Sequence, residues 1–240
     1  MSLMLHCGAE LVELESLKTI ELPEETRTYK PVSHYDLVMN TMHSGDIFLK
    51  PQGYNLESTN FGLGREGKHM FFTLNYGLEG ARNGLTIGGR NSYDKSTSIG
   101  LAAGMHVFVC DNLAFSGDQV TYLRKHTGNV EDDMEIMLMR IMKSADNEWK
   151  NMDKLTNEMA STPMSDSDAY KKLGLLYGNG VLTPRQLPIV KSEWKDSKYE
   201  DFKDKNMWSF YNACTEALKS SPPNQMLNRH IKLHKELVLA

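Results

Sequence analysis

Two short stretches of the chain carry residue types that can hold an anion. Gly88-Gly89-Arg90-Asn91-Ser92-Tyr93-Asp94-Lys95-Ser96 sets two cations and several hydroxyls beside a glycine pair. That is the inventory of a loop that meets a phosphate or a nucleic-acid backbone. It is not a Walker loop, because the glycine-lysine-serine/threonine ending is missing. A plainer description fits the same residues and is the preferred one: a hairpin connection whose Asn, Ser and Asp side chains satisfy their own backbone. Arg124-Lys125-His126-Thr127-Gly128 sits just before an expected helix start, where free N–H groups and the helix dipole attract an anion. An ordered junction turned by Gly128 is the even alternative.

Other constellations are thinner. His106 and Cys110 share a face of a regular strand, but two ligands are too few for zinc, and Cys110 reads as a small buried hydrophobe. His34, Tyr35, Asp36, His43 and Asp46 match no spacing with a mechanism, and no glycine-flanked nucleophilic serine accompanies them. Cys7, Cys110 and Cys214 are odd in number and far apart, which fits neither a disulfide framework nor a four-ligand metal site. No catalytic residue, metal or cofactor is expected, and a reducing cytoplasm is the natural compartment.

The elements that must position these residues follow from periodicity. Residues 10–30 read as an irregular acidic lead-in. A helix is expected after Pro31, capped by Ser33, with Tyr35, Leu37, Val38 and Met42 on its apolar face. Alternation then predicts strands through Met70, Phe72, Leu74 and Tyr76, through Leu85 and Ile87, through Ile99, Leu101 and Ala103, and through Met105, Val107 and Val109. Turns are expected at Glu66-Gly67, Asn83-Gly84, Gly88-Gly89 and Ser116-Gly117. From Val130 to Met159 apolar residues recur three or four apart, predicting a long helix with Asn129 as N-cap and Pro163 beyond its end. A capped helix from Ser165 to Tyr177, a loop over 178–188, a helical region from Trp194 to Leu218 and a last helix from Gln225 to Val238 complete the pattern. Strands first and helices after predict an α+β protein. The expected divisions are an acidic lead-in (1–30), a sheet-centred part (31–128) and a helical part (129–240) packed on the sheet as one domain.

The chain has 240 residues, 40% of them hydrophobic and 24% charged, enough to bury a real core. Its net charge of −4 argues against a mode that relies on many duplex phosphate contacts. The apolar runs are far too short to span a membrane, and no membrane partner is expected.

Three stretches taken together resemble the phage/plasmid-like family catalogued as domain of unknown function 932. The first is Asn91-Ser92-Tyr93-Asp94-Lys95-Ser96 leading to Cys110-Asp111-Asn112. The second is Arg124-Lys125-His126-Thr127-Gly128, opening the long helix. The third is Asn212-Ala213-Cys214-Thr215. The resemblance covers roughly residues 30–235, and as a set the motifs are fairly specific. It implies a mobile-element protein, often encoded near recombination or anti-restriction genes, and it supplies no catalytic residues. Single-stranded DNA is the expected partner, with Arg90, Lys95, Arg124, Lys125 and His126 meeting its backbone and Phe71, Phe72, Tyr76 and Tyr93 stacking on its bases. The alternative is an interaction protein that blocks a host defence factor, which the acidic lead-in suits. A homo-oligomer is compatible with either.

Overall fold

The computed structural model describes residues 9–81, 83–107, 112–114 and 121–238. Its centre is a seven-stranded antiparallel sheet in meander order. The strands are β1 (Glu10–Val12), β2 (Asn55–Gly64), β3 (His69–Gly77), β4 (Asn83–Ser92), β5 (Ile99–Val107), β6 (Asn112–Ala114) and β7 (Thr121–Arg124). The short β6 and β7 share the far edge of β5: β7 pairs with residues 99–102 and β6 with 105–107. The described residues also form six α-helices: α1 (His34–Phe48), α2 (Val130–Ala160), α3 (Asp166–Gly178), α4 (Leu187–Lys195), α5 (Met207–Leu218) and α6 (Pro223–Val238). The sheet in the first half and the helices in the second make this an α+β fold.

The core face of the sheet is read off the register. Met70, Phe72, Leu74 and Tyr76 stand opposite Asn91, Gly89, Ile87 and Leu85, and Ile87 and Gly89 stand opposite Ala103 and Leu101. Apart from Gly89, which has no side chain, these residues are almost wholly buried. Helices α1 and α2 cover this face, and α2 lies against β4, β5, β7 and α1. The apolar stripe of α2, Met134, Leu138, Ile141, Met142, Ala145, Trp149 and Met152, is buried as its period requires. Polar bonds fix its register: Trp149 Nε1 donates to the Asn83 carbonyl (3.3 Å) and Tyr54 Oη to Asp146 Oδ1 (2.9 Å).

Four expectations are corrected. The lead-in is not wholly irregular: Glu10–Val12 pairs with Phe61 to Leu63 as an edge strand, and Leu17 is buried in a 3-10 turn behind it. Asn83-Gly84 and Gly88-Gly89 are not turns but lie inside β4. At Gly89 the reason is packing, since a Cβ there would stand 2.3 Å from the Phe72 ring. The residues from 99 to 107 form one strand, not two; its apolar positions share one parity throughout. The region from Trp194 to Leu218 is broken, because Lys205 and Asn206 are tied back to residues 163 and 164 (Met164 N–H to the Lys205 carbonyl, 2.9 Å). Asn206 then caps α5 through its side chain, which accepts from the Ser209 N–H at 2.9 Å.

β2 has no counterpart among the expected strands, α4 begins at Leu187 within the expected loop and α6 begins at Pro223, while other boundaries agree with periodicity. Ser33 and Ser165 cap α1 and α3 through their hydroxyls, and α2 ends before Pro163. Asn129 occupies the N-cap of α2 without a side-chain cap bond. Cys7, Cys110 and the Ser116-Gly117 turn lie outside the described residues. No described helix is long and apolar enough to cross a membrane.

Candidate anion-binding cleft

The first motif is built as a braced loop between β4 and β5. Asn91 Nδ2 donates to the Val32 carbonyl (2.7 Å) and to His34 Nδ1 (3.0 Å). His34 Nε2 lies 3.0 Å from the Gly67 carbonyl, which can only accept. The imidazole is therefore neutral, protonated on Nε2 and accepting on Nδ1. Burial holds its pKa down at about 4, against the upward pull of the Gly67 bond. Ser92 Oγ donates to the Thr97 carbonyl (2.8 Å) and accepts from the Thr97 N–H (3.2 Å), closing the loop. Asp94 Oδ1 accepts from the Ser96 N–H at 3.0 Å. Ser92, Asp94 and Asn91 Oδ1, which accepts from the Ser92 N–H at 3.0 Å, thus satisfy local backbone as the plainer description anticipates, whereas Asn91 Nδ2 is spent on the distant Val32 and His34.

Asp94 also gathers His69 Nε2 (2.8 Å) and Arg65 Nη1 (3.2 Å), and Ser96 Oγ lies 2.7 Å from the same His69 Nε2. Burial pushes the Asp94 carboxyl up, but hydrogen bonds from Ser96 and His69 outweigh it and hold the group well below the usual carboxylate range. These three residues are not a nucleophilic relay. Serine and carboxylate meet one ring nitrogen, whereas a relay needs them on opposite nitrogens.

The second motif meets the first at the end of the sheet. The Lys30 N–H donates to the His126 carbonyl (2.9 Å), binding the lead-in to the junction before α2. Tyr29 Oη donates to the Tyr93 carbonyl (3.2 Å), and the Tyr29 ring lies 5.5 Å from the His126 ring, tilted by 50°. Between these segments opens a cleft of about 380 Å³, lined by Thr28 and Tyr29, by residues 95–98 and by residues 125–127. Lys95 stands at its rim with Nζ 4.6 Å above the Tyr29 ring and a left-handed φ of +62°. For a non-glycine residue that conformation costs about 1 kcal/mol. Gly128 turns the chain into α2 with a φ of +62° of its own.

His126 forms part of the lining and is only 5% exposed, yet neither ring nitrogen has a hydrogen-bond partner of ordinary geometry. Burial lowers its pKa, and a bond to the Lys30 backbone, outside ordinary geometry, offsets only part of that.

The expected nucleic-acid contacts therefore separate. Lys95, Lys125 and His126 share one cleft. Arg124 is engaged elsewhere: Nε and Nη2 reach Asp133 Oδ2 at 2.8 and 2.7 Å, and Nη2 donates to the Thr127 carbonyl at 3.0 Å. Arg90 projects from the opposite face of β4 to Asn91, half-buried, with Nε enclosed and unpartnered and its pKa lowered by burial. The stacking expected of Phe72, Tyr76 and Tyr93 is corrected: they are 1%, 3% and 7% exposed because they form the core under α1, and only Phe71 of the four is half-buried.

Thr127 and Gly128 belong to the junction. Asn212 and Thr215 are buried in α5, bonding the Trp208 carbonyl (3.0 Å) and the Asn212 carbonyl (2.9 Å). Asn112 lies in β6, beside α5. Among the described residues no group of three or more His, Cys, Asp or Glu side chains is placed to hold a metal ion. Sequence reasoning missed Thr28 and Tyr29 as walls of the cleft, since nothing local marks them.

A protein-family model described as "Domain of unknown function (DUF932)" matches residues 29–237. No curated protein and no solved structure gives a match. The matched span begins at Tyr29, at the wall of the cleft.

Proposed function

We propose that this chain, which belongs to the DUF932 family, is a non-enzymatic accessory protein of a phage or plasmid that engages single-stranded nucleic acid during recombination or replication. The observation that carries the proposal is the convergence of Lys95, Lys125 and His126, from two separate loops, on one hydroxyl-lined cleft. Two lysines facing an open groove suit a backbone phosphate or two, and the hydroxyls of Ser96, Thr97 and Thr127 supply neutral donors beside them. A cleft this small, on a chain of net charge −4, favours a single strand over the many phosphate contacts of a duplex. Burial of Phe72, Tyr76 and Tyr93 puts the emphasis on backbone contact rather than base stacking. The mobile-element setting rests on the motif resemblance.

The test is fluorescence anisotropy of labelled single-stranded and duplex DNA across a salt series. With two phosphates contacted, log K against log salt should slope by roughly −1.4 for the single strand. Absence of binding at low salt would refute the proposal.

A second reading is favoured by the exposed acidic lead-in, where Glu10, Glu13, Glu21 and Glu24 all face solvent. It makes the chain an inhibitor that opposes a basic surface of a host defence protein. A nuclease-resistant complex recovered from host lysate, together with no DNA binding, would select it.

A further inference from the structure

We infer that the Lys95–Lys125 cleft takes a phosphate monoester, the phosphorylated end of a strand, in preference to internal phosphodiesters; this rests on the nucleic-acid reading above. The first ground is His126. A buried polar group without a partner costs about 1–3 kcal/mol and calls for an explanation. Neither ring nitrogen of His126 has a partner of ordinary geometry, the Lys30 backbone being the one group that bonds it, and the residue lines an open cleft. With both nitrogens enclosed, the ring must turn toward the cleft for a ligand oxygen to supply an acceptor. An imidazole that donates to a phosphate oxygen gains further if it takes a proton, because both nitrogens then donate. The groups around it are two ammonium ions, Lys95 and Lys125, the Tyr29 phenol and the neutral His34. No carboxylate lines the cleft, and no lining side chain bonds the His126 ring.

The second ground is charge matching. Three cations near the cleft already face carboxylates: Lys30 faces Glu25 at 3.5 Å, Arg65 faces Asp94 and Arg124 faces Asp133. The lining itself carries two lysines, Lys95 and Lys125. Two positive charges on one cleft match the near −2 charge of a phosphate monoester at neutral pH, whereas an internal phosphodiester carries −1. A strand lying across the molecule would also meet Glu131 and Asp132, exposed on the first turn of α2, just beyond the junction. A strand that ends in the cleft avoids them.

The experiment compares one oligonucleotide sequence carrying a 5′-phosphate, a 3′-phosphate or hydroxyls at both ends, by anisotropy at fixed salt, with inorganic phosphate as competitor. A preference of about tenfold for one phosphorylated end, erased by inorganic phosphate and lost in His126→Ala, supports the inference. The arm that binds tighter says which end is read. If His126→Ala does not fold, the exposed Lys125→Ala variant carries the same expectation. Equal affinity for all three oligonucleotides overturns the inference while strand binding stands. No binding of any of them overturns both.

Discussion

The imidazole of His34 lies flat against the ring of Tyr93, centroids 3.7 Å apart and planes within 2° of parallel, and the His34 backbone N–H donates to Tyr93 Oη at 2.9 Å. The first residue of α1 is thereby joined to the motif loop that lines the cleft. With Gly67 and Asn91 completing its ring bonds, His34 is a joint between three segments.

That joint predicts a pH dependence of stability. The folded pKa of His34 is held at about 4, below its ordinary 6.5, so the neutral form is the one the fold favours. Its contribution is fully present above pH 6.5 and is lost as pH falls toward 4. Between pH 7.5 and 5 the unfolding free energy should drop by about 2 kcal/mol on this account. Urea unfolding at the two pH values measures it. His34→Gln should be less stable at pH 7.5 but should show a shallower fall; an unchanged fall would move the effect to another group.

Arg124 is predicted to be a fold residue rather than a ligand residue. Its pair with Asp133 is part-exposed, at 31% and 42%, so a double-mutant cycle should give a coupling of only about 0.5 kcal/mol. Arg124→Ala should lower stability by about 1 kcal/mol, since the Thr127 carbonyl also loses its donor. DNA affinity, measured where the variant is folded, should stay within twofold of the parent, about 0.4 kcal/mol. A loss as large as that of Lys125→Ala would place Arg124 in the site.

Gly89→Ala should destabilise the sheet by about 1–3 kcal/mol, because the added methyl meets Phe72, which is 1% exposed and has no room to retreat. Thermal unfolding checks it, and Phe72→Leu in the same background should recover part of the loss. A neutral Gly89→Ala would mean that the ring is not seated where the register puts it.

Which parts of this were legible in the sequence follows from how local the signal was. The α2 stripe, the Ser33 and Ser165 caps and the alternation of β3 are properties of short windows, and the α+β layout followed from them. Gly88-Gly89 misled because a glycine pair looks the same whether it turns the chain or clears space for a ring across the sheet. Lys95, Lys125 and His126 could be named from composition, but Arg90 and Arg124 look equally suitable until the register turns one to the far face and Asp133 engages the other. Tyr29, 64 residues from the Tyr93 carbonyl it bonds, left no trace that a single sequence can show.

The central claim is that Lys95 and Lys125 form one anion site, and the affinity of the Lys95→Ala/Lys125→Ala double variant for labelled single-stranded DNA at low salt tests it most directly. Both side chains are exposed, so the variant should fold as the parent does. The account predicts a loss of about tenfold or more and a salt slope flattened toward zero. Undiminished, equally salt-dependent binding would place the nucleic-acid surface elsewhere and contradict it.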